Sequence, residues 1–240
     1  RKDGNIVLAD TKSNRVTEFE ELPVPAYEML NHSKYFEPFL SHPFGLIQSA
    51  RGCPYSCNYC VRTFGKKLTY RTSDQILDEI ILLKQKVGIK SLRFIDDTFT
   101  ANTKRVYEIC DKLITADLNI EWTCLSRLDT IQPDMIPLMK KAGCKRIYFG
   151  AESGSAKVLS YLNKVLDLEK SMEIIRCCRK NKIETFGFFI VGSPSEDDAA
   201  FNESVEYAIN ADFDYISVSQ LQLYPGTLLF EQNKNLVDFS

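Results

Sequence analysis

From Phe44 onward, short apolar runs alternate with stretches whose apolar residues recur at helical spacing. No other feature of the sequence limits the fold as much. Runs at 45–49, 91–95, 120–125, 146–150, 184–191 and 215–221 read as strands. Residues 73–87 place Ile76, Ile80, Leu83 and Val87 on one helix face, with Ser73 or Asp74 as the cap. Segments 103–116, 133–142, 167–181 and 197–210 follow the same spacing. Pro133 suits a first helical turn, and Gly88 and Gly143 read as helix stops. Repeated strand–helix units imply parallel strands joined by right-handed crossovers. An open doubly wound sheet and a barrel both satisfy that pattern. Six units fall short of a closed eightfold barrel. The expected fold is therefore α/β, a partial (β/α)6 TIM-like barrel preceded by a short N-terminal connector. Either architecture puts the working site at the carboxyl ends of the strands.

Residues 1–43 have a different texture. Stretches 5–10 and 15–19 alternate like a hairpin around Thr11-Lys12-Ser13-Asn14. Leu22-Pro23-Val24-Pro25 forbids regular helix and reads as a connector, packed on the body through Tyr27, Met29 and Leu30. The expected division is hairpin and connector at 1–43, core domain at 44–232 and a tail or further segment at 233–240. The start Arg1-Lys2-Asp3-Gly4, without Met, reads as a piece excised from a longer protein. Thirty basic against 32 acidic residues give no cationic signal for nucleic acid, and no apolar stretch is long enough to span a membrane. Eight cysteines in a chain with this much apolar content argue for a reducing, cytoplasmic setting rather than a disulfide scaffold.

Three of those cysteines crowd into Arg51-Gly52-Cys53-Pro54-Tyr55-Ser56-Cys57-Asn58-Tyr59-Cys60, directly after the first expected strand. A [4Fe–4S] cluster ordinarily takes four cysteine ligands. Cys53, Cys57 and Cys60 would leave one iron open to the amino and carboxylate groups of a small molecule. The rival is a Cys3His zinc site completed by His42 or His32, although no second C-x2-C pair is present. The neighbours Cys177 and Cys178 lie mid-helix and point apart, so they read as packing residues.

The cysteine loop, with an aromatic residue before its last cysteine, resembles the radical S-adenosylmethionine (SAM) superfamily. Further segments carry the likeness: Tyr70-Arg71-Thr72, Phe94-Ile95-Asp96-Asp97-Thr98-Phe99, Ser126-Arg127-Leu128-Asp129, Tyr148-Phe149-Gly150-Ala151-Glu152-Ser153-Gly154-Ser155 and Tyr224-Pro225-Gly226-Thr227. Over about residues 20–232 they look like the branch that carries an N-terminal cobalamin-binding domain, to which Leu22-Pro23-Val24-Pro25 would be the link. The resemblance implies a partial barrel, a [4Fe–4S] cluster on Cys53, Cys57 and Cys60, and SAM. It implies Tyr59 near the adenine, Asp97 on the SAM amino group and Arg127 on its carboxylate. It also implies Glu152 on the ribose hydroxyls or amino group, and Gly192 giving close backbone approach to the adenine. One departure stands out: Gly192-Ser193-Pro194-Ser195-Glu196-Asp197 has Ser195 where the family often has glycine.

The plain alternatives are that Asp96 or Asp97 caps the next helix and that Arg127 and Glu152 pair with each other. Phe94, Phe149, Phe186, Phe188 and Phe189 read as core. Two histidines, both in the connector, leave little for histidine acid–base chemistry. The functional expectation is reductive cleavage of SAM to a 5′-deoxyadenosyl radical, in a cobalamin-assisted methyltransferase, a cyclase or a rearrangement enzyme, with cobalamin supplied by a domain outside this chain. Expected partners are a small-molecule or peptide substrate and an electron donor such as flavodoxin or ferredoxin. The alternative is a non-catalytic α/β binding module stabilised by zinc or iron–sulfur.

Overall fold

The computed structural model describes residues 22–234, so the expected hairpin of 5–19 lies outside the described residues. Eight strands and seven α-helices follow in order: β1 (Phe44–Ile47), β2 (Ala50–Arg51), β3 (Thr69–Tyr70), α1 (Ser73–Val87), β4 (Ser91–Phe94), α2 (Thr103–Ala116), β5 (Glu121–Ser126), α3 (Met135–Lys141), β6 (Cys144–Glu152), α4 (Ala156–Tyr161), α5 (Leu168–Lys180), β7 (Glu184–Val191), α6 (Asp198–Ala211), β8 (Tyr215–Gln220) and α7 (Leu228–Asn233). Strands β1, β4, β5, β6, β7 and β8 pair in that order, every pair parallel. β1 and β8 are the two edges, so the sheet is an open, partial barrel. Its curl brings together side chains two strands apart: Arg93 of β4 donates to the Tyr148 hydroxyl of β6 at 2.8 Å, and Arg146 of β6 stacks on Tyr215 of β8.

Each helix forms where its sequence offers one apolar stripe and a start signal. In α1, Ile76, Ile80 and Leu83 are buried, and Thr72 with Gln75 makes a reciprocal capping box. The cap is thus Thr72, not Ser73 or Asp74. The box needs a partner three residues on, and only Thr72 has Gln75 there. Gly88 closes the helix in the left-handed conformation. The outward strand residues Ile47, Leu92, Phe94, Trp122, Ile147 and Phe149 meet these stripes in one core. Full burial of each such side chain contributes about 1.5–3 kcal/mol before entropy is counted.

The concave face is less apolar. Phe186 and Phe188 point there, half-buried and packed on Tyr148 and Tyr215, whereas Phe94, Phe149 and Phe189 are core as expected. The connector closes the amino end of this face: Phe39 lies against Phe186, Tyr215 and Arg146, and Glu37 pairs with Arg93 at 3.2 Å. Of the three expected connector anchors only Tyr27 is buried, its hydroxyl on Glu79, and Arg71 shares that carboxylate. Met29 and Leu30 face solvent. An apolar side chain outside any periodic element carries no information about which way it points. No helix among the described residues is long and apolar enough to cross a membrane.

Candidate metal centre and active site

The cysteine loop is pinched at its base. Asp96, buried just beyond β4, accepts from the Ser49 and Ala50 backbone N–H groups at 2.6 and 2.9 Å and from the Ser49 hydroxyl. Arg105 of α2 stands 3.9 Å from Asp96 and donates to the Ser49 carbonyl. Next, β2 and β3 pair antiparallel across the loop. Gly52 has a left-handed φ of 91°, and a Cβ there would lie 2.2 Å from the Lys67 carbonyl. The Cys53 N–H donates to the Gly65 carbonyl at 3.0 Å. From the far side, Asn58 donates to the Tyr161 carbonyl at 2.6 Å, Asn163 donates to the Ser56 carbonyl, and the Leu229 N–H donates to the Asn58 carbonyl. The short helices α4 and α7, absent from the periodicity reading, therefore serve the loop. Asp96 caps nothing: the α2 cap is Asn102.

Cys57 is buried, Cys53 half-buried and Cys60 exposed. Cys60 opens to solvent on one side, yet the loop around its sulfur, and then Cys57 and Cys53, push its thiol up. The Thr98 hydroxyl lies 3.8 Å from the Cys53 sulfur, and Arg127 Nη1 lies 3.5 Å from the Cys57 sulfur. Among the described residues no three such side chains converge as ligands of a single ion. A four-iron cube binds each thiolate through a different iron and needs its sulfurs further apart than a zinc ion does. Three thiols on one loop are a donor set that suits a [4Fe–4S] cluster, which is held by cysteine thiolates. Both histidines turn Nε2 onto the connector's own backbone: His32 Nε2 is 2.8 Å from the Tyr27 carbonyl oxygen, and His42 Nε2 is 3.1 Å from that of Glu37.

Four of the expected contact residues end four successive strands of the sheet. Asp97 follows β4, is exposed, and accepts the Gly52 N–H. Arg127 follows β5 and Glu152 closes β6. They do not pair with each other: Arg127 grips Asp129 through Nε and Nη2 at 2.8 and 2.7 Å, while Glu152 takes Lys164 at 2.9 Å. A two-point contact with a ligand carboxylate would require Arg127 to give up its fork to Asp129. Glu152 has a left-handed φ of 67°. Its carboxylate folds back over Gly150 and hydrogen-bonds the Tyr59 hydroxyl, whose pKa burial and this contact both raise. Gly192 follows β7 with φ 81° and gives its N–H to Glu196. Ser195 has no left-handed backbone, so the loop needs no glycine there; its N–H and hydroxyl turn onto the Ser193 hydroxyl. Beside Tyr59 a cavity of about 370 Å³ is lined by Ile190, Gln220, Leu221 and Tyr224.

Sequence reasoning passed over Lys164, Tyr55, Thr98 and Asp129. Only Asp129 had a local signal, a carboxylate two residues from an arginine at a strand end.

Residues 47–208 match the Radical SAM superfamily. The chain is 33% identical over 214 residues to an uncharacterized methyltransferase of Pyrococcus horikoshii, covering 88% of this chain and 46% of that protein. It is 30% identical to the cytidylyl-2-hydroxyethylphosphonate methyltransferase of Streptomyces wedmorensis, covering 82% and 39%. It is 26% identical to the anaerobic magnesium-protoporphyrin IX monomethyl ester cyclase of Rubrivivax gelatinosus, covering 96% and 42%. In each case the chain spans less than half of the relative. The fold is that of the radical SAM methyltransferase TsrM of Kitasatospora setae, solved with cobalamin and a [4Fe–4S] cluster (TM-score 0.75, 19% identity, 80% of this chain and 37% of that one). It is also that of the cobalamin-dependent radical enzyme OxsB (TM-score 0.70, 20% identity, 94% and 33%).

Proposed function

This chain belongs to the radical SAM superfamily, and from that premise we propose that it is the catalytic core of a cobalamin-associated radical SAM methyltransferase or cyclase. What supports this most is that three thiols share one loop above the carboxyl rim that also bears Asp97 and Glu152. Cys53, Cys57 and Cys60 would hold a [4Fe–4S] cluster. When bound, the cluster supplies one electron to the SAM sulfonium, which breaks a carbon–sulfur bond and yields the 5′-deoxyadenosyl radical.

The chain's own residues bind and orient. Asp97, exposed on the rim, offers a carboxylate to the SAM amino group. Glu152, paired with Lys164 and hydrogen-bonded by the Tyr59 hydroxyl, offers the second carboxylate to the ribose hydroxyls or amino group. Tyr59 lies beside the adenine, and Gly192 lets the base approach the backbone. The half-buried Phe186 and Phe188 with the buried Tyr148 furnish an apolar wall below the rim that would keep water from a reactive radical. The two carboxylates are the groups that would recognise the ammonium of SAM. Cobalamin, the substrate (a small molecule or peptide) and a one-electron donor of flavodoxin or ferredoxin type would come from outside residues 1–240.

Anaerobic reconstitution of the full-length protein tests the reading. It should bind iron and sulfide as a four-iron cluster and, once reduced, convert SAM to 5′-deoxyadenosine. Cys57→Ala should lose the iron and Cys144→Ala should keep it. Fully loaded protein that leaves SAM intact removes the proposal, and so does equal iron in both variants.

A further inference from the structure

Arg127 is 8% exposed and held on every side. Nε and Nη2 grip the two Asp129 oxygens, Nη2 also lies 3.4 Å from the Val165 carbonyl oxygen, and the guanidinium plane sits 3.9 Å over the Tyr55 ring. Two N–H groups remain, both on Nη1, and Nη1 lies 3.5 Å from the Cys57 sulfur, to which it donates one of them. The other buried guanidiniums among the described residues take carboxylate partners, Asp96 for Arg105 and Glu184 for Arg146. Arg127 instead also turns toward a thiol of the cysteine loop. The aim is built from three places: Asp129 lies two residues on, Tyr55 stands between Cys53 and Cys57, and Val165 precedes α5.

The planar fork of arginine leaves little rotational freedom once a carboxylate holds one edge and an aromatic ring one face. The Nη1 N–H is thus delivered without further ordering. Hydrogen bonds to the ligating sulfurs are a main lever on the potential of an iron–sulfur cluster, because they stabilise the charge added on reduction. Asp129 offsets most of the net charge of Arg127, so the directed N–H is what remains to act. The three sulfurs are treated unequally: Cys57 receives this N–H, Cys53 meets the Thr98 hydroxyl, and Cys60 lies nearest the Val61 carbonyl.

Resting on the cluster reading above, we propose that Arg127 is a positioning residue that orients Cys57 and raises the reduction potential of the cluster through its Nη1 contact, with Asp129 and Tyr55 holding it to that task. In this role Arg127 serves the cluster in place of the SAM carboxylate.

The test compares full-length wild type, Arg127→Met, Arg127→Lys and Tyr55→Leu after anaerobic reconstitution, by iron content and by redox titration followed by electron paramagnetic resonance without SAM. Wild-type iron and a more negative potential are expected in Arg127→Met, with about a tenfold smaller reduced-to-oxidised ratio at any set potential, or about 59 mV for one electron. Arg127→Lys keeps the charge but loses the fork, and should shift the same way. Tyr55→Leu, which removes only the stacking face, should shift less, and it keeps the question answerable if Arg127→Met holds no iron. Fully loaded variants with the wild-type potential overturn the proposal. A weakened SAM affinity at unchanged potential also overturns it and makes Arg127 a substrate ligand. Wild type that loads no iron fails the cluster reading itself, a distinct result.

Discussion

Lys164 Nζ lies 2.9 Å from Glu152 Oε1 with both side chains more than nine-tenths buried. The ion pair closes the end of β6 and is reached only because Gly150 has no Cβ. A methyl group there would sit 2.3 Å from the Glu152 oxygen and 2.8 Å from the Lys164 nitrogen. Breaking such a pair strands a charge away from water. Lys164→Met is expected to lower stability by about 3–5 kcal/mol, read as a fall in the urea midpoint at pH 7. The double variant Lys164→Met/Glu152→Gln should recover a large part of that loss, because no uncompensated carboxylate remains. A single variant as stable as wild type would show that water reaches Glu152.

Asp96 and Asp97 are adjacent and serve different ends. Asp96 accepts two backbone N–H groups and a hydroxyl at the root of the cysteine loop and balances Arg105. Asp96→Ala should cost about 3 kcal/mol or more and reduce iron loading with it. Asp97 is exposed on the rim. Asp97→Ala removes only the exposed acceptor of the Gly52 N–H and should cost about 1 kcal/mol, yet weaken SAM binding about tenfold, the loss of one charge-assisted hydrogen bond. Chemical unfolding and anaerobic equilibrium dialysis with SAM separate the two. The opposite assignment of effects would exchange the roles of this pair.

The contrast shows what the sequence can and cannot express. The strand–helix order was legible because each element buries one face, so the periodicity of Ile76, Ile80 and Leu83 is itself the packing instruction. The cysteine loop and the rim positions of Asp97, Arg127 and Glu152 follow from that order. What a rim side chain holds does not follow. Whether Glu152 takes Arg127 or Lys164 depends on the left-handed backbone at Glu152 and Asn163 and on the missing Cβ at Gly150. The direction of Arg127 depends on Tyr55, seventy-two positions away in the chain. Such long-range choices are made by the assembled loops.

The eight cysteines should divide by reactivity. Burial pushes the Cys110 and Cys178 thiols up to about 12 and raises those of Cys124 and Cys144 well above the ordinary range. A thiol with a pKa near 12 is ionised in only about one molecule in 10,000 at pH 8, and the thiolate is the form that reacts. In metal-free folded protein at pH 8, iodoacetamide is expected to modify the solvent-reachable Cys53, Cys60 and Cys177 before these four, which stay untouched until the chain is unfolded. Peptide mass spectrometry reads the order. Early alkylation of Cys124 or Cys144 would mean that the core opens between strands and helices.

Two glycines provide a last separation, between a loop that carries the cluster and a joint that carries the fold. Gly52 holds a left-handed backbone against the Lys67 carbonyl, at the mouth of a loop that the short β2–β3 ladder pinches there. That ladder can open without disturbing the core, so Gly52→Ala should abolish iron loading while lowering stability by little more than the left-handed strain of about 1–2 kcal/mol. Gly154 sits where a Cβ would lie 2.4 Å from the Tyr207 Cβ and 2.5 Å from the Glu203 carbonyl oxygen of α6. Neither neighbour is the flexible end of a side chain, so α6 must shift, and Gly154→Ala should cost about 3 kcal/mol. Gly88→Ala is the control. It meets nothing within 4 Å at φ 73°, and only the left-handed strain of about 1–2 kcal/mol applies. Iron content measured beside the urea midpoint distinguishes the three. Should Gly52→Ala load iron normally, the pinch at the loop mouth is not what shapes the site.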